Sequence, residues 1–506
     1  MRKWIVMVLA VMMIALMASP VKAETPVSSK DSMIVVLDRE PVSLDPVDVF
    51  VNVKSMVDSC IYDTLLKFDN DGNTVPCLAE SWKQVDELTW EFTLRNDVYF
   101  HNGDPLTAQD VLFSLKRTQE SSVTRTKASF MDLENTTAEG NVITLKLSKP
   151  YAFVEAQLAF PQFSIVSEKA VTAGGDGYGR QPIGTGPYVF VSWTAGDRIE
   201  LTRNDKYWGD KSILKNLTFR IITESASRTI ELESGGVDLV LAISSNDADR
   251  IDENPDTQLI TRSSNSLRYI GFNCQNGPLQ DVRVRKALYH ATDVPTLREI
   301  LYGLKTSGPA ASCVPEGMKG LNLDLESYAY DPDLAKSLLV EAGYGDGLTI
   351  EFMYLANSTN NTLAELLQAL WGMVGVELKL MPTESGALST ALNKGEHMMC
   401  SAGTTFTLGE AGEGLNNMFS IASQGSSANR TYLTNEAIDA VLQKVIVTAD
   451  SDERAQMVYE VQKMIHEEVP MIYLASQYNI IGASSTLQGF VPHCNSMHDF
   501  THCYFE

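Results

Sequence analysis

The segment that decides the fold is AESWKQVDELTWEFTLRNDVYFHNGDPLTAQDVLFSLKR, which runs from Ala79 to Arg117. Apolar and polar residues alternate in two places within it, and this alternation is typical of a half-buried strand. The alternating apolar residues are Trp90, Phe92 and Leu94 in the first place and Val98 and Phe100 in the second. The sequence therefore predicts two strands in succession.

A turn and a capped helix are predicted to follow these strands. Asn102 opens an Asn-Gly-Asp-Pro run, in which glycine accepts a positive φ and proline presets φ. Thr107 then offers a side-chain oxygen suited to cap a helix that carries Val111 and Leu115. Two strands, a turn and a helix form a structural module, and this module contains no catalytic constellation.

The first 23 residues have the features of a secretory signal. Arg2 and Lys3 form a positive start, an apolar core follows from Ile5 to Met17, and Val-Lys-Ala ends at Ala23. A transmembrane anchor needs about 20 apolar residues, and this core is shorter. No cysteine of a lipid anchor follows, because the first cysteine is Cys60. We expect export, cleavage after residue 23 and a soluble periplasmic protein.

Length and charge limit the organisation and the partners. Removal of 23 residues leaves 483 of 506, which exceeds a single hydrophobic core and predicts several domains. The formal net charge falls from −24 to −27, because the signal holds three basic residues and no acidic one. This acidity disfavours nucleic acid and anionic lipid as partners.

The seven cysteines are odd in number, and Cys494 with Cys503 is the simplest disulfide to expect.

Three further segments accompany the first one, in the order PIGTGPY (Pro182 to Tyr188), RYIGFNCQNGPLQDVRVRKALYHATD (Arg268 to Asp293) and YDPDLAKSLLVEAGY (Tyr330 to Tyr344). Before all of them, the apolar run from Met33 to Leu37 predicts a buried strand. Together the four segments closely resemble, in order, the markers of the family 5 extracytoplasmic solute-binding proteins. These proteins are the peptide, nickel and related receptors of ABC importers.

The resemblance implies an α/β protein with the two-lobe periplasmic-binding-protein fold, of the large three-subdomain type, and a ligand cleft between the lobes. Lobe I is expected to comprise residues 24–265 plus 476–506, with an inserted subdomain at about 80–180, and lobe II residues 266–475. The implied function is that of a periplasmic receptor, monomeric and without a cofactor. It closes on its solute and delivers it to the permease subunits of an ABC importer.

The resemblance also indicates where a peptide would be anchored. In peptide-binding members, an aspartate in a loop after a Gly-Trp pair binds the α-amino group of the peptide. The corresponding stretch here is Gly403 to Ser420, where Thr404 takes the tryptophan position and Thr407 the aspartate position. A shift of three residues would place Glu410 there instead. A threonine cannot neutralise an ammonium group, so a simple amine anchor is not evident.

The arginine that binds the ligand carboxylate in dipeptide receptors is also missing. The corresponding stretch, Met353 to Glu365, contains no basic residue. A buried charge without a partner is costly, so a zwitterionic dipeptide would be poorly served by these positions. Peptide remains the expected cargo, with an uncharged oligosaccharide or a nickel or other metal chelate as alternatives. A chaperone-like or adhesive surface protein is a third possibility that the sequence leaves open.

Other candidate residues have two interpretations each. Phe50, Tyr269 and Phe272 either approach the cleft or pack in the core. The imidazoles of the C-terminal tail could bind zinc, nickel or copper, although their spacing matches no closed zinc motif; they are His493, His498 and His502. The chain has neither a GxSxG nucleophile elbow nor a GxxxxGK phosphate loop, so we do not expect an enzyme.

Overall fold

The computed structural model describes residues 26–48, 52–124, 127–426, 428–493 and 497–506. The predicted signal, the candidate Phe50 and Cys494 lie outside these ranges, so the corresponding predictions are not tested. Over the ranges that are described, no helix combines the length and the apolar character needed to cross a membrane.

The described strands form one large mixed sheet and smaller antiparallel sheets. In chain order they are β1 (Ser32–Leu37), β2 (Leu66–Phe68), β3 (Thr74–Pro76), β4 (Ala79–Asp86), β5 (Thr89–Leu94), β6 (Met131–Glu139), β7 (Val142–Leu147), β8 (Tyr188–Thr194), β9 (Arg198–Arg203), β10 (Asn216–Ile221), β11 (Leu239–Val240), β12 (Thr257–Phe272), β13 (Ser307–Gly308), β14 (Leu348–Leu355), β15 (Val376–Thr383), β16 (Met399–Thr405), β17 (Met471–Ser484), β18 (Leu487–Gln488) and β19 (Tyr504–Phe505).

The described α-helices cover the sheets and connect them. In chain order they are α1 (Asn52–Ile61), α2 (Ala108–Glu120), α3 (Val154–Leu158), α4 (Glu168–Gly174), α5 (Ser225–Glu233), α6 (Ala248–Glu253), α7 (Val282–His290), α8 (Val294–Tyr302), α9 (Pro332–Glu341), α10 (Ser358–Gly372), α11 (Ser385–Lys394), α12 (Ala411–Phe419), α13 (Glu436–Val447) and α14 (Ser451–Glu468).

The large sheet has two halves joined by a central pair of strands. Its order is β15-β14-β16-β12-β17-β11-β1-β10-β9-β8, and the short β13 pairs with β17. We call β1 and β8 to β11 the N-terminal half-sheet and β14 to β16 the C-terminal half-sheet. The strand predicted from Met33 to Leu37 is confirmed as β1, which runs parallel to both of its neighbours, β10 and β11.

The central pair, β12 and β17, contains the longest of the described strands, with 16 and 14 residues. Their antiparallel ladder extends from the Thr257–Ser484 pair to the Gly271–Met471 pair. The register shifts between Ser263 and Ser266, and Asn265 within this bulge has a φ of 52°. Asparagine tolerates this left-handed conformation better than most residues. A bulge bends its strand and increases the local twist, and this bulge lies where the central pair passes from one half-sheet to the other.

The segment from Ala79 to Arg117 forms β4, β5 and α2, and its strands belong to the antiparallel sheet β4-β5-β7-β6. The first predicted strand is confirmed as β5, whose apolar residues are buried. Strand β4 escaped prediction because most of its side chains are exposed and it shows no apolar alternation.

The second predicted strand, at Val98 and Phe100, is wrong. Both side chains are buried, at 2% exposure each, yet the backbone makes only an isolated bridge between Tyr99 and Pro105. The Phe100 N–H donates to the Asp104 carbonyl at 2.8 Å and closes a turn, so no ladder can extend. The apolar alternation here reflects burial of a loop.

The predicted cap at Thr107 is confirmed. The Thr107 side chain accepts a hydrogen bond from the Asp110 N–H at 3.2 Å, and an Asp110 carboxylate oxygen accepts from the Thr107 N–H at 3.0 Å. This reciprocal capping box satisfies two backbone donors at the start of α2.

The sheet β4-β5-β7-β6 and its helices also touch the helices of the C-terminal half. The Ala152 N–H donates to the Ile446 carbonyl at 2.8 Å. Next to it, the buried Phe153 ring packs against α12 and α13, and the Arg454 guanidinium lies 5.3 Å from its centroid. One continuous apolar core therefore joins these two regions, while a second core lies under the N-terminal half-sheet and includes the C-terminal tail.

The Gly-Thr-Gly marker has a packing reason. Gly184 and Gly186 lie against the C-terminal end of α1, where the Gly186 N–H donates to the Ile61 carbonyl at 2.9 Å. A Cβ atom at Gly184 would stand 2.0 Å from that carbonyl oxygen. Only glycine allows the two backbones to approach this closely.

We expect Gly184→Ala to lower the free energy of unfolding by about 1–3 kcal/mol or more, because the added methyl group forces the backbone of α1 to move. Chemical denaturation of the purified variant measures this loss. Gly177→Ala is the matched control, since a Cβ there meets no heavy atom within 4 Å. Equal stability of the two variants would contradict this account of the marker.

Candidate functional site

A cavity of about 330 Å³ lies where β12 and β17 pass from one half-sheet to the other. Its size falls within the range of roughly 300–1,000 Å³ that is common for small-molecule sites. The side chains and backbone around it come from the β2–β3 turn, the bulged part of β12, the segment 316–319, the β16–α12 loop and β17. The polar wall residues include Asp71, Arg262, Glu316, Lys319 and Tyr478.

A larger cavity, of about 640 Å³, lies between the β2–β3 hairpin and the C-terminal tail. Its most enclosed carboxylate, Asp63, already accepts hydrogen bonds from Thr185 at 2.9 Å, Tyr207 at 3.0 Å and Trp208 at 2.9 Å. Every residue that lines it belongs to the chain up to Asp210 or from His493 onward, so residues 266–475 contribute nothing to it. The smaller cavity, by contrast, takes Glu316 to Lys319 and Gly409 from that part of the chain. A solute there would not contact both halves, so the smaller cavity is the better candidate.

The bulge in β12 fixes the loop that borders the smaller cavity. The Asn265 carbonyl accepts a hydrogen bond from the Phe406 N–H at 2.9 Å, and the Ser266 and Thr405 hydroxyls are 2.8 Å apart. Phe406 and Leu408 are buried, which anchors the β16–α12 loop in the core. Gly409, next in the chain, reaches the cavity wall.

Glu316 is held firmly in the wall. Its N–H donates to the Ser476 hydroxyl at 2.8 Å, and its Oε2 accepts from the Tyr478 hydroxyl at 2.7 Å. A Cβ at Gly308 would stand 1.7 Å from this Oε2, so the carboxylate fits only because residue 308 is glycine. Burial and, after it, the adjacent Glu316 raise the pKa of Tyr478 to about 12. Tyr478 therefore stays a neutral hydrogen-bond donor at physiological pH.

Two basic side chains share the wall with Glu316. Arg262 donates to the Pro492 carbonyl at 2.6 Å and to the Asn70 carbonyl, which ties the tail and the β2–β3 turn to β12. Lys319 is exposed and takes part in none of the ion pairs formed within the described ranges. The cavity thus offers both signs of charge, although the chain as a whole is strongly acidic.

Glu410 lies just outside this wall, at the start of α12, and is half-buried. Burial raises the pKa of its carboxyl group, and the neighbouring carboxylates Glu155 and Glu413 act in the same direction. Arg454 and Lys319 oppose the increase. The side chain does not cap α12.

The other predicted ligand residues have varied positions. Thr404 lies in β16 opposite Leu267, and Thr407 lies in the β16–α12 loop; both are half-buried and neither lines the cavity. Tyr269 and Phe272 are core residues, at 1% and 0% exposure. Their side chains present no surface to a solute in this structure, and the alternation along β12 reflects core packing.

The histidines of the tail make contacts with their own neighbours in the described part of the chain. The His493 N–H donates to His498 Nδ1 at 3.0 Å, and His493 Nε2 is 3.1 Å from the Asp69 carbonyl oxygen. His502, by contrast, is exposed. Across the part of the chain that is described, no group of three or more histidine, cysteine, aspartate or glutamate side chains could hold a metal ion. The metal hypothesis for His493, His498 and His502 therefore has no support here, and Cys503 is a buried thiol.

Sequence reasoning missed Arg262, Glu316 and Lys319. They belong to none of the four markers, and the contact that places Glu316 joins residues 162 positions apart. One local signal was available in this region. Glu316 and Lys319 are charged residues that stand next to two glycines, Gly317 and Gly320, in a short stretch of sequence.

A known protein family matches most of the chain. Residues 73–426 match the sequence model of the family described as Bacterial extracellular solute-binding proteins, family 5 Middle. The chain belongs to this family. Its members are receptors that bind solutes and are not enzymes.

Individual members of family 5 resemble the chain over nearly its full length. It is 27% identical to heme-binding protein A of Haemophilus influenzae over 506 residues, which cover 94% of this chain and 92% of that protein. It is also 27% identical to the dipeptide-binding protein of Escherichia coli over 478 residues, 88% and 89% of the two chains. The solved structure of HbpA2 from Haemophilus parasuis has a TM-score of 0.87 at 26% identity and covers 94% of this chain and 100% of its own. The predicted α/β fold of the periplasmic binding proteins is thereby confirmed.

We expect this family 5 protein to lose stability in acid through His498. Burial, followed by the nearby His493 and Arg262, lowers the pKa of His498 from 6.5 to about 3. Between pH 6.5 and about 3, the imidazole of His498 is protonated in the unfolded chain and neutral in the folded protein. The contribution of His498 is therefore complete above pH 6.5 and falls by about 1.4 kcal/mol per pH unit on acidification through this window.

Denaturation curves recorded from pH 7 to 4 for the wild type and His498→Gln measure this effect. The variant is expected to be less stable at pH 7 and to show a smaller dependence on pH. His502→Gln, at an exposed position, serves as the control and keeps the wild-type slope. A wild-type slope in His498→Gln would contradict the prediction.

Proposed function

We propose that this protein is a periplasmic receptor for short peptides that delivers its solute to the permease of an ABC importer. The observation that carries the proposal is the cavity between the half-sheets, whose wall holds carboxylate, ammonium and guanidinium groups together. Peptides combine charged termini with a polar backbone, and such a wall suits them. The similarity to a dipeptide-binding protein over 88% of the chain supports the same solute class.

The proposed lobes are residues 24–265 plus 476–506 and residues 266–475, with an inserted subdomain at about 80–180. The register shift between Ser263 and Ser266, opposite Gln477 and Tyr478, supports a hinge at these two crossings. In this scheme a bound peptide contacts both lobes and shifts the population toward the closed form, because only differential contacts can favour one state. The closed protein, as a monomer, then docks on the permease.

The charged wall argues against the other cargoes. An uncharged oligosaccharide would offer no opposite charge to the carboxylate of Glu316 or to the ammonium of Lys319, so it would gain nothing from the charged groups of the wall. A metal chelate would need a different balance of charge, and heme is large for a cavity of about 330 Å³.

Unfolding temperatures of the mature protein, measured with and without a pool of di- to tetrapeptides, test the proposal. The protein must first be freed of bound solute by partial unfolding and refolding, and mass spectrometry verifies this. Peptide at about 100 times its Kd should add roughly 2.7 kcal/mol to the free energy of unfolding. A pool of neutral oligosaccharides at the same concentration is the control. Stabilisation by the sugars and not by the peptides would refute a peptide receptor.

A further inference from the structure

The segment 316–319 brings one carboxylate and one ammonium group to the cavity wall. Glu316 lies at its start and Lys319 at its end. Among the ion pairs formed by the described residues, none includes either side chain. The other basic wall residue, Arg262, already donates to two backbone carbonyls.

The position of Glu316 is set before any solute binds. Ser476 holds its backbone, Tyr478 holds Oε2, and Gly308 leaves the space that the carboxylate occupies. The hydrogen bonds formed within the described ranges leave its second oxygen, Oε1, available. A carboxylate that is held by one neutral donor still has an oxygen available as an acceptor, and this arrangement suits an ammonium group.

Lys319 complements Glu316 across a tight stretch of backbone. Gly317 and Gly320 have φ values of 74° and 92°, so the chain turns sharply on both sides of Lys319. Both side chains line the same cavity, and they form no ion pair with each other within 4 Å. A long, exposed lysine can reach a carboxylate that lies within the cavity.

We propose that Glu316 binds the ammonium group and Lys319 the carboxylate of a zwitterionic solute, so that the receptor selects peptides with both termini free. This inference rests on the proposed peptide function. It moves charge recognition from the β16–α12 loop, where Thr407 and Glu410 lie, to the segment 316–319 and β17. Position 407 holds no acidic residue, and the stretch from 353 to 365 holds no basic residue. In this scheme Glu316 and Lys319 supply the two charges that are missing there.

The test uses one tripeptide pool in three forms: unmodified, N-acetylated and C-terminally amidated. Binding to the mature full-length protein is measured by calorimetry and by the shift in unfolding temperature. The wild type is expected to bind the unmodified pool roughly 10- to 100-fold more tightly than either blocked pool, because each block removes one charge-assisted contact. Glu316→Gln keeps the size of the side chain and the bond from Tyr478, so it should fold.

Each variant should lose one preference and keep the other. Glu316→Gln is expected to bind the unmodified and N-acetylated pools equally and still to discriminate against the amide. Lys319→Gln is expected to bind the unmodified and amidated pools equally and still to discriminate against the N-acetylated pool. Glu351→Gln, an exposed carboxylate on β14, is the matched control and should retain both preferences. These selective losses separate recognition from a general loss of stability.

The outcomes also separate this inference from the function on which it rests. Failure of the wild type to bind any form of the pool refutes the peptide receptor and the inference with it. Equal binding of all three forms by the wild type overturns the inference and leaves the peptide receptor standing. A second result would also overturn the inference and leave the peptide receptor standing: Glu410→Gln no longer distinguishes the unmodified pool from the N-acetylated pool, while Glu316→Gln still does. That result would assign the ammonium group to the β16–α12 loop.

Discussion

The antiparallel pairing of β12 with β17 is the constraint on which the rest of the structure depends. These two strands provide the continuous hydrogen-bonded connection between the half-sheets, and they pair over almost their entire lengths. An irregularity in this ladder therefore alters how one half-sheet is placed relative to the other. The bulge at Ser264 and Asn265 is such an irregularity, and the cavity lies beside it. The candidate site thus lies at one of the two register shifts in this pair of strands; the other falls between Arg268 and Tyr269.

Elements that depend on neighbours in the chain were predictable from sequence. The capping box at Thr107 forms between residues three positions apart. Strands β1 and β5 pair with strands further along the chain, but their apolar patterns are visible within a few residues, and the four markers identified the family. The loop at Val98 and Phe100 was not predictable, because burial imposes the same apolar alternation on a loop as on a strand. The deciding factor was the turn that closes at Asp104, which prevents a ladder.

The site was harder to predict than the fold for a physical reason. Tyr269 and Phe272 were reasonable candidates from the family, but core packing on both faces of β12 buries them. The charged wall residues depend on contacts between distant parts of the chain, such as the bond from Tyr478 to Glu316 and the space left by Gly308. Neither contact leaves a pattern in the local sequence. Overall acidity was also uninformative, because the charge of the whole surface does not determine the charge of one cavity.

The contact at Phe153 gives the molecule a second point at which its two regions join, in addition to the central strands. The ring is buried in the core beside Gly412 of α12, near Val445 of α13 and Val458 of α14, and the Ala152 N–H next to it donates to the Ile446 carbonyl. In the proposed receptor, separation of the two regions would have to break this contact, although Phe153 does not line the cavity. A change at Phe153 would then act on the rate of release, whereas a change in the wall would act on which solute is recognised.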